Sequence, residues 1–381
     1  MYRCAMSNDV MRPHYGWFRR QTAKPQEPYD KANEQGIAFA QEARRQREQN
    51  ELTKAETTMR KADSYFRKAI ELDPTQPEAL FNLGVILLEL GILVRARLEL
   101  EECAKWFDEA ESLFEQVLNI DPTLVVAKNN LGSVAFERAW LLYEQDPVEA
   151  EAQFTKAELH GRKVIEMKPD WTEAHNNLGN SIFERGGLAR KRVPDAAVPL
   201  YLEAEKHYRR ALEIDPKCAA AERFLGRLMF TWTGFYREND VPDGKHASLL
   251  ELYAAAEKHY RRALELQPNH FAALNEISSV LLWKAVELRA LGRAGEVSGI
   301  VAEVLQLARR HARQTGKPTY NLACALALTN NIPSAIATLE DLGRHGIRLN
   351  PAYLRKDTDL DGLRDHPRFQ ALLKKLDEQM S

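Results

Sequence analysis

The chain has 381 residues, with 53 lysines and arginines against 55 aspartates and glutamates, a net charge of −2 and 44% hydrophobic residues. So even a balance gives no global field for nucleic acid, and no apolar run is read as reaching the ~18–20 residues of a membrane span. Cys4, Cys103, Cys218 and Cys324 are scattered without metal-ligand or redox-pair spacing, as single thiols in a reducing compartment would be, so the expected location is the cytoplasm.

Residues 1–26 show no repeat pattern. They combine Arg3, Arg12, Arg19, Arg20 and Lys24 with Tyr2, Tyr15, Trp17 and Phe18, against one acid, Asp9. Two readings stand: a poorly ordered tail, or an aromatic–basic segment that docks on the rest of the chain or on a partner. The segment has no apolar core of the kind a secretory signal carries.

From about Tyr29 a small residue recurs, at Gly36, Gly84, Gly132, Gly179, Gly226 and Ser278, separated by 48, 48, 47, 47 and 52 residues. A proline stands ten residues before each of the last five, at Pro74, Pro122, Pro169, Pro216 and Pro268. An alanine stands 22 before the same five, at Ala62, Ala110, Ala157, Ala204 and Ala256. Fixed periods of this order mean a solenoid of stacked units. Within one unit, Ala62, Phe66, Ala69 and Ile70 form an apolar stripe at helical spacing. Asp73-Pro74 ends that helix, because proline cannot continue the hydrogen-bond ladder. Pro77 can open the next, whose stripe is Leu80, Leu83, Gly84 and Leu87. Small residues let two helix axes approach to roughly 8–10 Å.

Three of these units read Ala62-Phe66-Ala69-Pro74, Ala204-Tyr208-Ala211-Pro216 and Ala256-Tyr260-Ala263-Pro268, and the blocks KHYRRALEIDP and KHYRRALELQP are nearly identical. With the Leu-Gly marker in the first helix, these motifs resemble the tetratricopeptide repeat family over residues 27–345. The resemblance implies an all-α, right-handed α-solenoid of about seven antiparallel helix pairs, acting as a non-catalytic scaffold for proteins. The departure lies in length: a standard unit has about 34 residues, and the extra ones fall between the two markers. From Gly84 to Ala110 is 26 residues, whereas Ala323 to Ala335, in the final unit, is 12. The longer helices would project hairpin tips along one edge, with Asp146-Pro147 as the capped start of the helix at one such tip.

Residues 346–381 resemble the segment that closes many bacterial arrays of this family. A solenoid exposes an apolar face at its last unit, and Leu360, Leu363, Phe369, Leu372 and Leu373 are expected to cover its second helix. Asp357, Asp359, Asp361 and Gly362 imitate the opening of a calcium loop. The twelfth position is Arg368 instead of the bidentate glutamate, so the segment reads as a capping turn.

In the resembled family, first-helix residues around the small marker face the concave groove. Carried over, these are Asn82, Asn129, Asn130, Ser133, Asn176, Asn177, Asn180, Arg223, Arg227 and Asn275. Amides both donate and accept, so a row of them suits an extended peptide main chain, with Phe81, Phe136, Phe183 and Phe224 beside it for specificity. The bland alternative is that the asparagines bridge adjacent helices. Arg223 and Arg227 are read as gripping one carboxylate, or as pairing with Glu222 and Glu276. The family's carboxylate clamp is not matched: its positions carry Asn129 with Ser133, Asn177, and Ala220 with Phe224. No catalytic constellation, metal site or cofactor motif is read. The expected partner is a protein or peptide held in the groove. Self-assembly through the hairpin tips (a homo-oligomer), or service as a regulatory subunit of a separate enzyme or secretion complex, are the alternatives.

Overall fold

The computed structural model describes residues 27–49, 51–95, 100–238 and 245–379. The segment 1–26, with Cys4, lies outside them. Among the described residues all regular structure is helical, and they divide into two compact units that part between Pro216 and Lys217.

The N-terminal unit holds α1 (Glu27–Glu48), α2 (Leu52–Leu72), α3 (Pro77–Arg95), α4 (Leu100–Ile120), α5 (Val125–Leu142), α6 (Pro147–Met167), α7 (Thr172–Arg192) and α8 (Ala197–Ile214). Each odd-numbered helix packs on the even-numbered one that follows, and successive hairpins stack. The odd helices therefore form one layer, called inner here, and the even ones the outer layer. Proline and capping chemistry set the boundaries. Pro77 opens α3, and Asp73 closes α2 by donating its N–H to the Ala69 carbonyl. Asp146 caps α6, its carboxylate accepting the Glu149 N–H at 3.1 Å with Pro147 in the first turn.

The markers work by steric fit. A Cβ added to Gly36, Gly84 or Gly179 would stand 2.5, 2.8 or 2.6 Å from the ring of Phe66, Phe114 or Tyr208 on the adjoining outer helix. These rings are the aromatic of the Ala-x3-Phe/Tyr motif, so the two halves of the repeat signature are one contact. Gly132 has no such ring, because the matching position is Gly161, and there Leu178 closes in at 3.2 Å. Seven residues on, the lengthened helices carry a second lock: Gly91 against Phe107 and Gly186 against Tyr201, at 2.4 and 2.7 Å. The added turns are thus held by the same device as the core of the repeat.

One expectation about membranes needs correction. α3 is, by length and composition, apolar enough to cross one, which the sequence reading missed. Its residues are instead buried in the protein, all but Leu93 from Glu78 to Arg95. A helix apolar on all sides belongs to a core as readily as to a bilayer.

The C-terminal unit holds α9 (Ala219–Glu238), α10 (Lys245–Leu266), α11 (Phe271–Ala290), α12 (Val297–Thr315), α13 (Tyr320–Leu328), α14 (Ile332–Arg344), α15 (Pro351–Leu354) and α16 (Pro367–Glu378), with a 3₁₀ turn at Thr358–Leu363. Hairpins α9–α10, α11–α12 and α13–α14 repeat the pattern, the last with helices of 9 and 13 residues. At its end, Leu360, Leu363, Phe369 and Leu373 are buried and Leu372 is half-buried. The 3₁₀ turn lies mainly on α13, the first helix of that hairpin, and not on the second as expected; α16 packs on α14. Polar bonds explain the placement: Tyr320 Oη donates to Asp357 Oδ2 at 2.6 Å, and Arg289 reaches Asp359 at 3.2 Å. The would-be calcium carboxylates are spent on Tyr320, on Arg289, on capping the turn (Asp359 N–H to Asp357 Oδ1, 2.9 Å) and on Arg364.

Candidate functional site

At 100° per residue, positions −6, −3, −2, +1, +4, +5 and +8 from the small marker fall within roughly one third of an inner helix's circumference. In α3 these are Glu78, Phe81, Asn82, Val85, Leu88, Glu89 and Ile92; in α5, Val126, Asn129, Asn130, Ser133, Phe136, Glu137 and Trp140; in α7, Glu173, Asn176, Asn177, Asn180, Phe183, Glu184 and Gly187. Such a face carries polar rows at −2 and +5, phenylalanine or asparagine at −3 and an aromatic or leucine row at +4; Lys191, at +12 of α7, falls on the same side.

The asparagines follow a rule. Asn82 at −2 donates its amide to Oδ1 of Asn33 in the preceding hairpin at 3.0 Å, and Asn177 donates to Asn129 at 3.1 Å. In the C-terminal unit Asn321 donates to Asn275, at 3.0 Å to the carbonyl and 3.1 Å to Oδ1, and to Ser279 Oγ at 2.9 Å. Position −2 of one repeat thus reaches position −3 of the one before. Arg223 and Glu276 occupy the same two positions, and there Arg223 Nη1 contacts both Glu276 oxygens at 2.7 and 2.9 Å. The arginine is fully buried, with its guanidinium 4.4 Å from the Phe224 ring centroid. Glu222 goes to His259 Nδ1 at 2.7 Å.

These bonds assign inter-repeat bridging to Asn82, Asn129, Asn177, Asn275 and Arg223. Ser133 Oγ bonds the Asn129 carbonyl of its own helix at 3.3 Å, and Asn180 accepts the Tyr208 hydroxyl at 2.9 Å, fixing the ring over Gly179. Asn130 and Asn176 are buried and Arg227 is half-buried. The reason for the burial is energetic: an amide in the inner layer is stable only if paired, and the neighbouring repeat presents the complementary group.

Sequence reasoning missed the row at +5. Glu89, Glu137 and Glu184 are 2%, 0% and 3% exposed, 48 and 47 residues apart. Arg47 stands 3.3 Å from Glu89 and Arg95 3.1 Å from Glu137, each arginine eleven residues past its own marker. Burial raises the Glu137 carboxyl above the usual range, with Arg95 opposing. Neither Glu137 oxygen accepts a hydrogen bond, and neither does Glu78 Oε2. The register was legible as a glutamate five residues after the glycine, had the markers been used to align more than the asparagines.

Outer helices carry a lateral charge ladder. Arg67 meets Glu109 at 2.6 Å, Arg162 meets Glu203 at 2.6 Å and Arg261 meets Glu303 at 2.8 Å, each arginine five residues after the alanine marker or its equivalent. These partly exposed pairs contribute at most about 1 kcal/mol each and serve more to fix the register of neighbouring hairpins. Among the described residues no group of three or more histidine, cysteine or acidic side chains is placed to hold a metal ion.

Comparisons with known proteins bear on this architecture. Residues 65–97 and 247–270 match models of the tetratricopeptide repeat. These two stretches are tetratricopeptide repeats, and each unit is an all-α stack of helical hairpins. Comparison with the curated proteins gives no match. Similar solved structures include YrrB, described as a tetratricopeptide-repeat protein with an unusual peptide-binding site, at 21% identity and TM-score 0.33, covering 65% of this chain and 96% of that one. PilF of Pseudomonas aeruginosa is similar at 14% identity and TM-score 0.40, covering 75% and 97%. A thermophilic tetratricopeptide-repeat protein of Thermus thermophilus, TTC0263, is similar at 16% identity and TM-score 0.39, covering 63% and 98%. Likenesses at this level say nothing of the site.

Proposed function

We propose that this protein is an interaction scaffold whose inner face, in the N-terminal unit, binds an extended peptide segment rich in cations and aromatic rings. The observation that carries this reading is the composition of that face. At its positions α3, α5 and α7 carry five glutamates, of which Glu89 and Glu137 also meet Arg47 and Arg95, against one cation, Lys191. A basic segment meets an excess of charge of opposite sign. The bridging asparagines hold the repeats in register beneath it. With Cys103 and Cys324 as buried free thiols, a reducing compartment, the cytoplasm, suits the scaffold.

Fluorescence anisotropy with peptides of matched length tests this. Basic–aromatic peptides should bind, with affinity falling as salt rises, and Glu184→Lys should weaken them by about tenfold or more. Equal binding of acidic peptides, or indifference to the substitution, would contradict the reading. A second reading, self-assembly, is favoured by Val148 and Val193, 72% and 58% exposed at neighbouring hairpin tips. Mass that rises with concentration and returns to the monomer on Val148→Ser/Val193→Ser would support it; a constant monomer mass would exclude it.

A further inference from the structure

We propose that the groove between α12 and α14, in the C-terminal unit, docks an acidic segment of a partner protein, whose carboxylates take the place of acids that the outer charge ladder provides elsewhere. The site lies between outer helices and is distinct from the inner face of the N-terminal unit.

The ladder arginines share one arrangement. Arg67, Arg162 and Arg261 each meet an acid one turn earlier on their own helix, Asp63, Glu158 and Glu257, at 2.9, 2.7 and 2.7 Å. Each also meets an acid on the next outer helix, Glu109, Glu203 or Glu303, one residue before the marker position of that helix. On α12 the marker position is Val304, and the arginine five residues on is Arg309. Here both acids are missing. The residue one turn earlier is Leu305, and the residue before the α14 marker, Ala335, is Ser334. Arg309 is exposed and has no acidic partner among the described residues, and the same holds for Arg313, four residues further on the same side of α12. The register of the ladder continues across the groove. A rung joins position +5 of one outer helix to −1 of the next, an offset of six, and the groove walls pair Ala312 and Gly316, at +8 and +12, with Ala337 and Asp341, at +2 and +6. Arg309 and Ser334 are therefore the next rung, with a hydroxyl in the place of the carboxylate.

The groove has room and the right charge. Its volume is about 520 Å³, within the range of sites that hold a ligand. Its floor is small and apolar, with Ala312, Pro318, Leu322 and Ala337, and Ser334, Lys317 and Arg344 stand on its rim. Thr338 Oγ1 is spent on the Ser334 carbonyl at 2.7 Å, and the Ser334 hydroxyl is left free to donate. Asp341, the acid of the lining, lies 3.2 Å from Arg344. Arg309, Arg313 and Lys317 then remain as three cations with no acid to meet them. Such a set suits an extended acidic chain better than a single ion: successive carboxylates can meet the two guanidiniums bidentately and the ammonium singly. Ser334 adds a hydroxyl donor at the rung. The cations are exposed, so the attraction is of the kind that salt screens.

The test uses a labelled oligoglutamate peptide, titrated by fluorescence anisotropy into the full chain. It should bind, with affinity that falls as salt rises. Arg309→Glu should weaken it by about tenfold. Ser334→Glu fills the rung from within the chain and should also weaken it by about tenfold, while the helix content stays unchanged. Lys258→Glu, a charge reversal on the exposed side of α10, should leave binding within about twofold of wild type. A peptide that does not bind overturns the proposal, as does binding that either Arg309→Glu or Ser334→Glu leaves unchanged, or that Lys258→Glu weakens as much. Displacement by inorganic phosphate at matched ionic strength would make the groove a site for small anions and overturn the assignment to an acidic segment. A full chain that is dimeric, and becomes monomeric on Ser334→Glu, would give the groove to a second copy and overturn the assignment to a partner.

Discussion

Removing the Asn129–Asn177 bridge separates a structural role for the inner-face amides from a ligand-binding one. Both side chains are nearly fully buried, and the Asn177 amide donates to Asn129 Oδ1 at 3.1 Å across the α5–α7 contact. Asn177→Ala leaves Asn129 Oδ1 without that donor, at a cost of about 1–3 kcal/mol for a buried polar atom left unsatisfied. Asn129→Ala strands the Asn177 N–H in the same way. The double variant no longer holds a stranded partner, so its loss should fall short of the sum of the singles by about 1 kcal/mol. Repeat arrays unfold unit by unit, so amide exchange of α5 and α7 reports the effect better than one global midpoint. Those helices should lose protection while α1 and α2 keep theirs. Two single variants each within about 0.3 kcal/mol of wild type, with additive effects, would refute the bridging account and return both residues to the ligand.

Other outcomes follow from the same contacts. Gly91→Ala places a methyl 2.4 Å from Phe107 Cε1 and should cost about 1–3 kcal/mol, as overpacking does, seen as a lower thermal midpoint with the helix content unchanged. Arg223→Ala leaves Glu276 without the cation that it meets at 2.7 Å; about 3 kcal/mol should be lost, with faster exchange in α9 and α11. Phe369→Ala should cost about 3 kcal/mol and loosen α13 and α14 first, a change that limited proteolysis of the C-terminal end would report. Acid should act in opposite directions on helices α6 and α8 and on the C-terminal turn. His160 and His207 are held at about 4, mainly by burial, with Lys156 and His175 respectively adding to it. Their neutral forms stabilise the fold fully above about 6.5, and that contribution fades as pH falls towards 4. Asp359, raised to about 6 by burial and the charge of Asp357, favours its protonated form, so the C-terminal turn should gain between pH 6 and 4. Exchange at pH 7 and pH 5 should show α6 and α8 loosening relative to α13.

Much of the fold was legible because its signals are local and periodic. Pro77, Asp146-Pro147 and the glycine markers act through backbone geometry and steric fit, which sequence spacing displays directly. The inner face was harder to read. The asparagines stood out as a chemical type, but whether Asn177 meets a ligand or Asn129 depends on an offset between neighbouring repeats, position −2 on −3, that no single repeat contains. Glu89, Glu137 and Glu184 were passed over because glutamate on a helix is ordinarily a solvated residue, and only the stacking shows them buried. For Arg223 the pairing with Glu276, 53 residues on, stood beside a ligand carboxylate as one of two readings, and only the bridging rule between repeats selects it. At the end of the chain α16 packs on α14, the second helix, as expected, but the 3₁₀ turn lies mainly on α13, since Tyr320 and Arg289, which draw Asp357 and Asp359 there, lie 37 and 70 residues away.

The central claim is that the inner helices of the N-terminal unit are the binding surface. Amide exchange on the chain beginning at Glu27, with and without a saturating basic–aromatic peptide, tests it most directly. Protection should rise in α3, α5 and α7, while the hairpin tips around residues 143–147 and 193–196 stay unchanged. Protection confined to those tips, or to the outer helices α4, α6 and α8, would contradict the account.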